Sequence, residues 1–458
     1  MLTDLLGISP ATVSALMLVV FAGDLVFDIA SGLLASWALA RGFGYRRVIA
    51  LGAAPCGAAF ALLYSLPALG HPRIGVLAAI LLIFRAAYAI VDVPHNSLIA
   101  RVARDSHARG RTSGYRLFFS SLAGLAIATI LTPSVGQAAR LGMTGKLAVL
   151  GIVAGTVAGA ALWLAAWSSA RDRGDGGEAG LAASPTRITL FPRPDRLLAA
   201  MALVSFVTGF AMPMFGRMTL YLATYVLDRP AFASRILLAV TLGQFPGVLL
   251  WTWLVRFGEK TTLLALAYAV AIAGILLFAL AGAHPALLVG AAALAGAGLA
   301  GVFMLPWGIM ADVIDFAEFH HRERRETATF AAMLVILKAS AAASVSVIGG
   351  VLGQLGYVPG IRQAPAVLWG MKALAFGVPI IGGGAAILVL LRLSVGHRAH
   401  ARVLRALAAR STRAIRDRAG PPDPPASRPA TGGTPARSGR GVPPPGPADS
   451  PARSRYAR

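Results

Sequence analysis

Runs of about 20 apolar residues recur along the chain, and each is long enough to cross the roughly 30 Å hydrocarbon core of a bilayer. The 458 residues are 57% hydrophobic and 13% charged, whereas about a quarter of the residues of a soluble protein are charged. The pattern predicts an all-α polytopic membrane protein. It indicates eleven spans, at residues 11–38, 48–69, 74–100, 115–134, 146–168, 196–224, 233–256, 262–282, 285–314, 328–350 and 369–394.

Basic residues predict the orientation of these spans. The chain carries a formal net charge of +23, and lysine and arginine in short loops favour the cytoplasmic side of a membrane. We therefore expect the arginine-rich loops and the C-terminal tail to be cytoplasmic, in a multi-pass protein of the inner (plasma) membrane. Because the charge follows the loops, it does not indicate a nucleic-acid partner. The richer loops lie at residues 41–47, 101–111, 171–193, 256–260 and 322–325.

Composition divides the chain into four parts. Residues 1–170 and 196–396 are predicted to be an N-terminal and a C-terminal helix bundle, joined by a polar cytoplasmic linker at 171–195. Residues 397–458 form a basic tail rich in Pro, Gly and Arg, most of which we expect to be disordered. The stretch RVLRALAARSTRAIRDR inside the tail is either a short basic helix on the membrane surface or an arginine-rich topological anchor.

Asp24, Asp28 and Asp92 lie well inside predicted spans, where an ionisable group costs at least about 2.5 kcal/mol. Asp24 and Asp28 are four residues apart and so share one helix face. Two carboxylates on one face in a low dielectric either share a proton, hold a cation between them or pair with a neighbouring helix. Asp92 is followed by Pro94, which frees carbonyls that can line a cavity for a polar solute. A pair of Asp92 with Arg85 is the alternative.

Lys338 lies in the middle of a predicted span, in a chain with only four lysines among 42 basic residues. A lysine amine can lose its charge when it is desolvated, which an arginine does not do in proteins. We therefore expect Lys338 to be a counter-ion of Asp24, Asp28 or Asp92 that responds to bound protons or cations. A static ion pair is the alternative.

The stretch ADVIDFAEFHHRERRE places acids and arginines together at the end of a span. Asp312, Asp315 and Glu318 are spaced by three residues, so they stack on one helix face, and arginines follow at the membrane boundary. This pattern predicts a cytoplasmic latch that ion pairs close in one state and that opens in the other.

The two halves of the chain show a weak internal sequence repeat. Asp105 precedes Arg111 by six residues after the third span, and Glu318 precedes Arg324 by six after the ninth. Acids followed by arginines in corresponding positions indicate a duplicated transporter architecture.

Four stretches resemble the glycoside–pentoside–hexuronide:cation symporters, the melibiose-carrier branch of the major facilitator superfamily (MFS). They are LPWGIMADVIDFAEFHHRERRETATF, similar to the acid-rich block of the family's tenth helix; LKASAAASVSVIGGVLGQLGYVPG, similar to its eleventh; DVPHNSLIARVARDSHARGRTSGYRLFFSSLAG, similar to its fourth and fifth; and TDLLGISPATVSALMLVVFAGDLVFDIASG, similar to its first two. The resemblance covers nearly all of residues 1–394. It implies the MFS fold with two pseudo-symmetric bundles, and a secondary active transporter that carries a sugar or glycoside with a cation by alternating access.

The resemblance, taken with the charge pattern, also implies roles for single residues. Asp24 and Asp28 match the family's cation-coupling pair, and Lys338 matches the lysine beside it. The expected substrate-binding residues are Asp92, Asn96 and Trp307. The expected cytoplasmic gate comprises Asp105, Arg111, Arg116, Asp312, Asp315, Glu318, Arg324 and Glu326.

Two departures from the family bear on these roles. The segment MLTDLLGIS corresponds to the end of the family's first helix, which normally supplies an acidic sugar ligand, so we expect a misassigned start or a truncated gene. Sodium-using relatives supplement the aspartates with amide and hydroxyl oxygens, whereas Phe27 and Ala89 stand here. Since a proton needs only one carboxylate of raised pKa, we expect coupling to H⁺, with Na⁺ at Asp24 and Asp28 as the second choice and no other cofactor or metal.

Two other functions stay open. The same fold could carry an amphiphile such as a lysolipid, because the helix-one acid is missing and Asn96 replaces an aromatic sugar platform. A non-transporting membrane sensor or scaffold with a signalling tail is the other alternative. An enzyme is not indicated, since the sequence shows neither a nucleophile–base set nor a metal cluster, and its single cysteine excludes an intrachain disulfide. The expected partners are a small-molecule substrate and the lipid bilayer, with no required protein partner.

Overall fold

The computed structural model describes residues 10–70, 74–103, 105–127, 141–169, 195–282, 284–358, 361–393 and 396–419. Every regular element within these ranges is a helix. The α-helices are α1 (Pro10–Ala40), α2 (Tyr45–Ser65), α3 (Ile74–Ser97), α4 (Ile99–Val102), α5 (Ser106–Ala126), α6 (Thr144–Ser168), α7 (Arg196–Phe210), α8 (Met214–Tyr221), α9 (Phe232–Leu254), α10 (Lys260–Leu280), α11 (Pro285–His321), α12 (Glu326–Gln354), α13 (Pro365–Lys372), α14 (Val378–Leu391) and α15 (His397–Ala419).

Ten continuous helical stretches in the described ranges are long and apolar enough to cross a membrane. Helices α7 and α8 belong to one of them (Arg196–Val226), and α13 and α14 belong to another (Pro365–Leu391). These ten correspond one to one with ten of the predicted spans. The remaining predicted span, residues 115–134, begins in α5 and continues outside the described ranges. The prediction of an all-α polytopic membrane protein is therefore confirmed.

Small residues let helices of the C-terminal half approach closely. A Cβ on Gly274 of α10 would lie 2.3 Å from the backbone nitrogen of Ala295 on α11. Gly298 of α11 meets Ala271 of α10 at the same distance. Close backbone contact of this kind drives helix association in membranes, because lipid supplies no hydrophobic force between helices.

A glycine seam joins α2 and α6 in the N-terminal half. Gly151, Gly155 and Gly159 recur every four residues on α6 and so share one face. A Cβ on Gly155 would lie 2.4 Å from the carbonyl oxygen of Gly57 on α2. The seam therefore leaves no room for a side chain at this position.

Replacing Gly155 by valine should separate α2 from α6 and lower the thermal unfolding temperature of the detergent-solubilised protein. Forcing extra atoms into a packed core costs about 1–3 kcal/mol, which corresponds to a fall of several degrees. Gly145→Val, near the start of α6, is the control, because no atom lies within 4 Å of its Cβ position. Equal unfolding temperatures for the two variants would contradict the seam.

Helices of the two halves meet along a shared face. Helix α1 packs against α12, α3 also contacts α12, and α5 packs against both α9 and α11. These contacts bring the ionisable side chains of α1, α3 and α5 within reach of those on α11 and α12.

Candidate functional site

Four ionisable side chains from three helices meet where α1 packs against α3 and α12. We call Asp24 and Asp28 of α1, Arg85 of α3 and Lys338 of α12 the charged quartet. The Lys338 amine lies 2.7 Å from Asp28 Oδ2 and 3.1 Å from Asp24 Oδ2. Arg85 donates two hydrogen bonds to Asp24, of which the bond from Nε to Oδ1 is 2.9 Å long.

The quartet is charge-balanced, with two carboxylates and two cations. Asp24 is 2% exposed and Asp28 is 0% exposed. Buried ions need partners, because desolvation costs several kcal/mol per ion. Lys338 lies between the two aspartates, where the sequence places a counter-ion. The alternative prediction, in which Arg85 pairs with Asp92, is wrong, because Arg85 forms its salt bridge with Asp24.

A second polar group lies on α3 and α5 beside an aromatic ring of α11. We call Asp92, Asn96, Arg116 and Trp307 the polar pocket. Asn96 Nδ2 donates to Asp92 Oδ1 at 2.9 Å and to the Asp92 carbonyl at 2.8 Å. The Arg116 guanidinium stacks over Trp307, with its Cζ 3.9 Å from the ring centroid. Asp92 also attracts Arg116 electrostatically.

Two atoms of the polar pocket are buried without a hydrogen-bond partner, Asn96 Oδ1 and Arg116 Nη1. A buried polar atom in this state costs about 1–3 kcal/mol, so both atoms are suited to bind a ligand. The structure thus places Arg116 in the pocket rather than in the gate where the sequence analysis puts it. The reason is depth, because Arg116 lies seven residues, or about 10 Å, farther along α5 than Arg109, which binds the predicted gate residue Asp315.

The predicted acids of α11 lie in a buried ionic network at the C-terminal end of that helix. Asp312 Oδ2 is 2.5 Å from the Lys260 amine. Asp315 Oδ2 is 2.5 Å from Arg109 Nη1 and 2.9 Å from His400 Nε2. Each of these side chains is nearly fully buried.

Arg324 binds three carboxylates at once. Its Nη1 lies 3.0 Å from Asp315 Oδ1 and 2.7 Å from Glu318 Oε2, and its Nε lies 2.8 Å from Glu326 Oε2. Only 3% of the Arg324 side chain is exposed. The guanidinium therefore neutralises acids from both ends of the α11–α12 connection.

Several contacts of this network cross between the two halves. Glu326 accepts hydrogen bonds from the Tyr45 hydroxyl at 2.7 Å and from Arg101, and Asp315 pairs with Arg109. We call the whole network the gate cluster, consisting of Tyr45, Arg101, Arg109, Lys260, Asp312, Asp315, Glu318, Arg324, Glu326 and His400.

Two predicted gate residues lie outside the gate cluster. Asp105 Oδ1 accepts a hydrogen bond from the backbone nitrogen of Ala108 at 2.7 Å and caps α5, a usual role for aspartate. Arg111 is exposed, because two residues along a helix turn a side chain by about 200°, away from the face on which Arg109 meets α11. The six-residue spacing that suggested this pair therefore does not describe a contact.

Sequence reasoning did not identify Arg101, Arg109, Lys260 or His400. The preference for cytoplasmic arginine explains every loop arginine equally well, so it cannot select the buried ones. The scarcity of lysine that singles out Lys338 applies also to Lys260, and is the signal that could have found it.

Helix α15 packs over the gate cluster through its first turns. His397 Nε2 lies 2.7 Å from the Gly258 carbonyl oxygen, and its ring stacks on that of His107 with the centroids 3.7 Å apart. Burial lowers the pKa of His397 below its ordinary value. Residues His397–Ala419 form helix α15, which contains the stretch RVLRALAARSTRAIRDR that the sequence analysis allows as a short basic helix.

In the described part of the chain, no three His, Cys, Asp or Glu side chains are grouped so that they could hold a metal ion. Asp24 and Asp28 form a pair of carboxylates on one face of α1. Both carboxylates contact the Lys338 amine. A cation that binds between them must therefore either displace this amine or add a positive charge to the quartet, whose charges otherwise balance.

Comparison with known proteins decides the family. Residues 1–397 match the family model described as MFS/sugar transport protein. The chain belongs to this family. Two relatives from Escherichia coli K12 are each 25% identical over 388 residues. A protein described as the glycoside/cation symporter YagG is matched over 83% of both chains, and a glucuronide carrier protein homolog is matched over 82% of this chain and 83% of the relative.

A solved structure gives the fold. The MFS transporter FucP, in the outward conformation, aligns with a TM-score of 0.56 at 17% identity, over 83% of this chain and 91% of FucP. The predicted MFS fold and the family resemblance are therefore confirmed. The chain is a multi-pass membrane transporter and not an enzyme.

Proposed function

We propose that the protein carries a sugar or glycoside across the membrane together with a cation, by alternating access. The charged quartet is the observation that carries this proposal, because Lys338 joins the two aspartates of α1 across the interface between the halves. Ionisable groups at membrane depth mark ion pathways. The relatives described as a glycoside/cation symporter and a glucuronide carrier support a sugar derivative as the cargo.

In this proposal the coupling cation is a proton that binds to Asp28. Protonation leaves the quartet with one carboxylate and two cations, and it frees Lys338 from one of its two partners. The Lys338 amine then keeps only Asp24 as a charged partner on α1, so one of the two charge contacts between α1 and α12 is lost. A sodium ion would need several further oxygen ligands, and the neighbouring Phe27 and Ala89 side chains carry none.

The sugar binds in the polar pocket. The apolar face of the sugar lies against the side of the Trp307 ring that Arg116 does not cover, since aromatic rings offer a large flat apolar surface. Asp92 and Asn96 Oδ1 accept hydrogen bonds from hydroxyl groups, and Arg116 Nη1 donates one. Asp92 lies nine residues, about 14 Å, along its span from the gate residue Arg101.

The gate cluster closes the cytoplasmic end of the pathway, because it lies among the loops that the positive-inside rule assigns to the cytoplasm. The C-terminal tail lies on the same side. After cation and sugar have bound, the pairs of Glu326 with Arg101 and of Asp315 with Arg109 break, and both solutes leave to the cytoplasm.

Purified protein in proteoliposomes tests this proposal. An imposed pH gradient, alkaline inside, should drive accumulation of a labelled glycoside from a panel, and a sodium gradient at equal pH should not. Accumulation driven by sodium alone would replace the proton in the mechanism. Uptake of a labelled lysolipid without uptake of any glycoside would overturn the proposed cargo and favour an amphiphile carrier.

Replacing Asp92 by asparagine should weaken sugar binding about 10- to 100-fold while expression is retained. A hydrogen bond to a charged group contributes about 1.5–3 kcal/mol, and each 1.4 kcal/mol is tenfold in Kd. Equilibrium binding of the labelled substrate measures the change. Asp228→Asn, at an exposed aspartate, is the control, and wild-type affinity in Asp92→Asn would remove Asp92 from the site.

A further inference from the structure

Arg85 supplies the charged quartet with its second cation. Without Arg85, the two carboxylates and the Lys338 amine carry a net charge of −1, which one monovalent cation would balance. With Arg85 the four side chains are neutral, and the charged residues of the neighbouring polar pocket, Asp92 and Arg116, balance each other as well. A side chain of the protein thus already supplies the charge that a bound cation would otherwise provide.

The Arg85 guanidinium also occupies the oxygen atoms of Asp24. Its Nε donates to Oδ1 at 2.9 Å and its Nη2 donates to Oδ2, the two-pronged arrangement that makes arginine–carboxylate pairs strong and specific. Oδ2 lies 3.1 Å from the Lys338 amine as well. Both oxygens of a carboxylate that is only 2% exposed are therefore bound to donors already, and neither is free to coordinate a metal ion.

A second contact holds the guanidinium in this place. The Cζ atom of Arg85 lies 5.8 Å from the centroid of the Tyr88 ring, within the distance at which an aromatic face attracts a cation. Tyr88 lies three residues farther along α3, so the helix that carries the arginine also positions it. An arginine stays protonated in proteins. The charge that Arg85 adds to the quartet therefore does not depend on pH or on the salt in solution.

A metal ion and a proton meet this arrangement differently. A hard metal cation needs several oxygen ligands, and it cannot use those of Asp24 unless the guanidinium leaves. A proton bonds to a single carboxylate oxygen and needs no coordination shell. Asp28 stays available to a proton, because the guanidinium binds Asp24 and the contact of Asp28 is with Lys338.

We propose that Arg85 excludes Na⁺ and other metal cations from the coupling site, because its guanidinium takes, as a tethered cation, the place of a monovalent metal ion. The inference rests on the proposed cation symport and assigns the choice of the cation to one residue. Removing the charge of Arg85 leaves a buried net charge of −1 on the other three side chains, and buried charge without compensation is strongly unfavourable. A variant that lacks this charge should therefore acquire a sodium site.

Thermal unfolding of the detergent-solubilised protein in NaCl, compared with choline chloride at equal concentration, tests the proposal. The unfolding temperature of Arg85→Gln should rise by several degrees in NaCl, because an ion that binds only the native state stabilises it. The wild type should show no such rise. Binding of radioactive sodium should give a Kd at least about 10-fold lower for Arg85→Gln than for the wild type, as expected when a unit charge is removed at contact distance.

Three further variants separate the charge of Arg85 from other effects of its replacement. Arg85→Lys keeps a positive charge and should respond to NaCl as the wild type does. Asp24→Asn/Arg85→Gln keeps the new amide oxygen but leaves the Asp28–Lys338 pair balanced, so it should lose the sodium response. Arg235→Gln removes an exposed arginine of α9 and should leave the behaviour of the wild type unchanged.

The outcomes keep the role of Arg85 apart from the proposed function. Equal responses to NaCl in the wild type and Arg85→Gln would overturn the exclusion, and so would a response that persists in the double variant. Aggregation of Arg85→Gln to the same extent in both salts would overturn it too, since Na⁺ would then not replace the missing charge. These measurements use no sugar, so a wild type that fails to take up any glycoside would count against the proposed symport without altering them.

Discussion

Replacing Asp28 by asparagine is expected to abolish accumulation of sugar against its gradient, while exchange of labelled for unlabelled sugar continues. Asp28 is the nearer partner of the Lys338 amine, at 2.7 Å, and is 0% exposed. Without that carboxylate no proton can be carried on the site, so uptake loses its driving force but not its route. The measurement is uptake into proteoliposomes with and without a pH gradient, next to counterflow in the same vesicles.

The same substitution should destabilise the protein, and a second one should reverse much of the effect. Removing one partner of a buried pair costs about 3–5 kcal/mol, because the other charge stays buried without compensation. The double variant Asp28→Asn/Lys338→Met leaves the Asp24–Arg85 pair balanced, so its unfolding temperature should recover towards that of the wild type although uphill uptake stays absent. Asp195→Asn is the control, since Asp195 precedes α7 without a side-chain capping bond. Near-wild-type accumulation in Asp28→Asn would exclude Asp28 from coupling.

The spans were predictable because each needs only a local property, an apolar run of sufficient length. Residues on one helix were predictable for a similar reason, since the four-residue spacing of Asp24 and Asp28 fixes their common face. Lys338 could be singled out because an ionisable group is unfavourable at that depth. In each case the information lies within about one turn or one span of the sequence.

Pairings between helices were not predictable. The spacing of residues along one helix does not reveal how that helix is rotated or displaced relative to its neighbours. Arg101, Arg109 and Arg111 look equivalent as loop arginines, yet only the packing of α5 against α11 turns Arg109 inward. Arg116 was predicted as a gate residue from its match to a family position, and that match does not give the depth of its side chain in this chain. His400 could not be predicted for a further reason, since it lies 85 residues after Asp315, the residue that it contacts.

Replacing Arg324 by alanine is expected to shift the protein strongly towards the state in which the gate cluster is open. Three buried carboxylates, of Asp315, Glu318 and Glu326, would lose a shared cation at 2.7–3.0 Å. Leaving buried charge uncompensated costs several kcal/mol, and about 2.8 kcal/mol already changes a two-state equilibrium 100-fold. Opening lets water reach these carboxylates, so the penalty falls on the closed state.

The rate at which a thiol reagent modifies Ser36→Cys, in a Cys56→Ser background, reports this shift. Ser36 of α1 is buried and bonded to Thr327 of α12 across the interface between the halves, so it becomes accessible only when the halves separate at the gate cluster. Arg322→Ala is the matched control, because Arg322 is an exposed arginine two residues away. Modification should be about 100-fold faster with Arg324→Ala than with Arg322→Ala. Equal rates would mean that the network contributes to folding alone and that the closed state does not depend on the charge of Arg324.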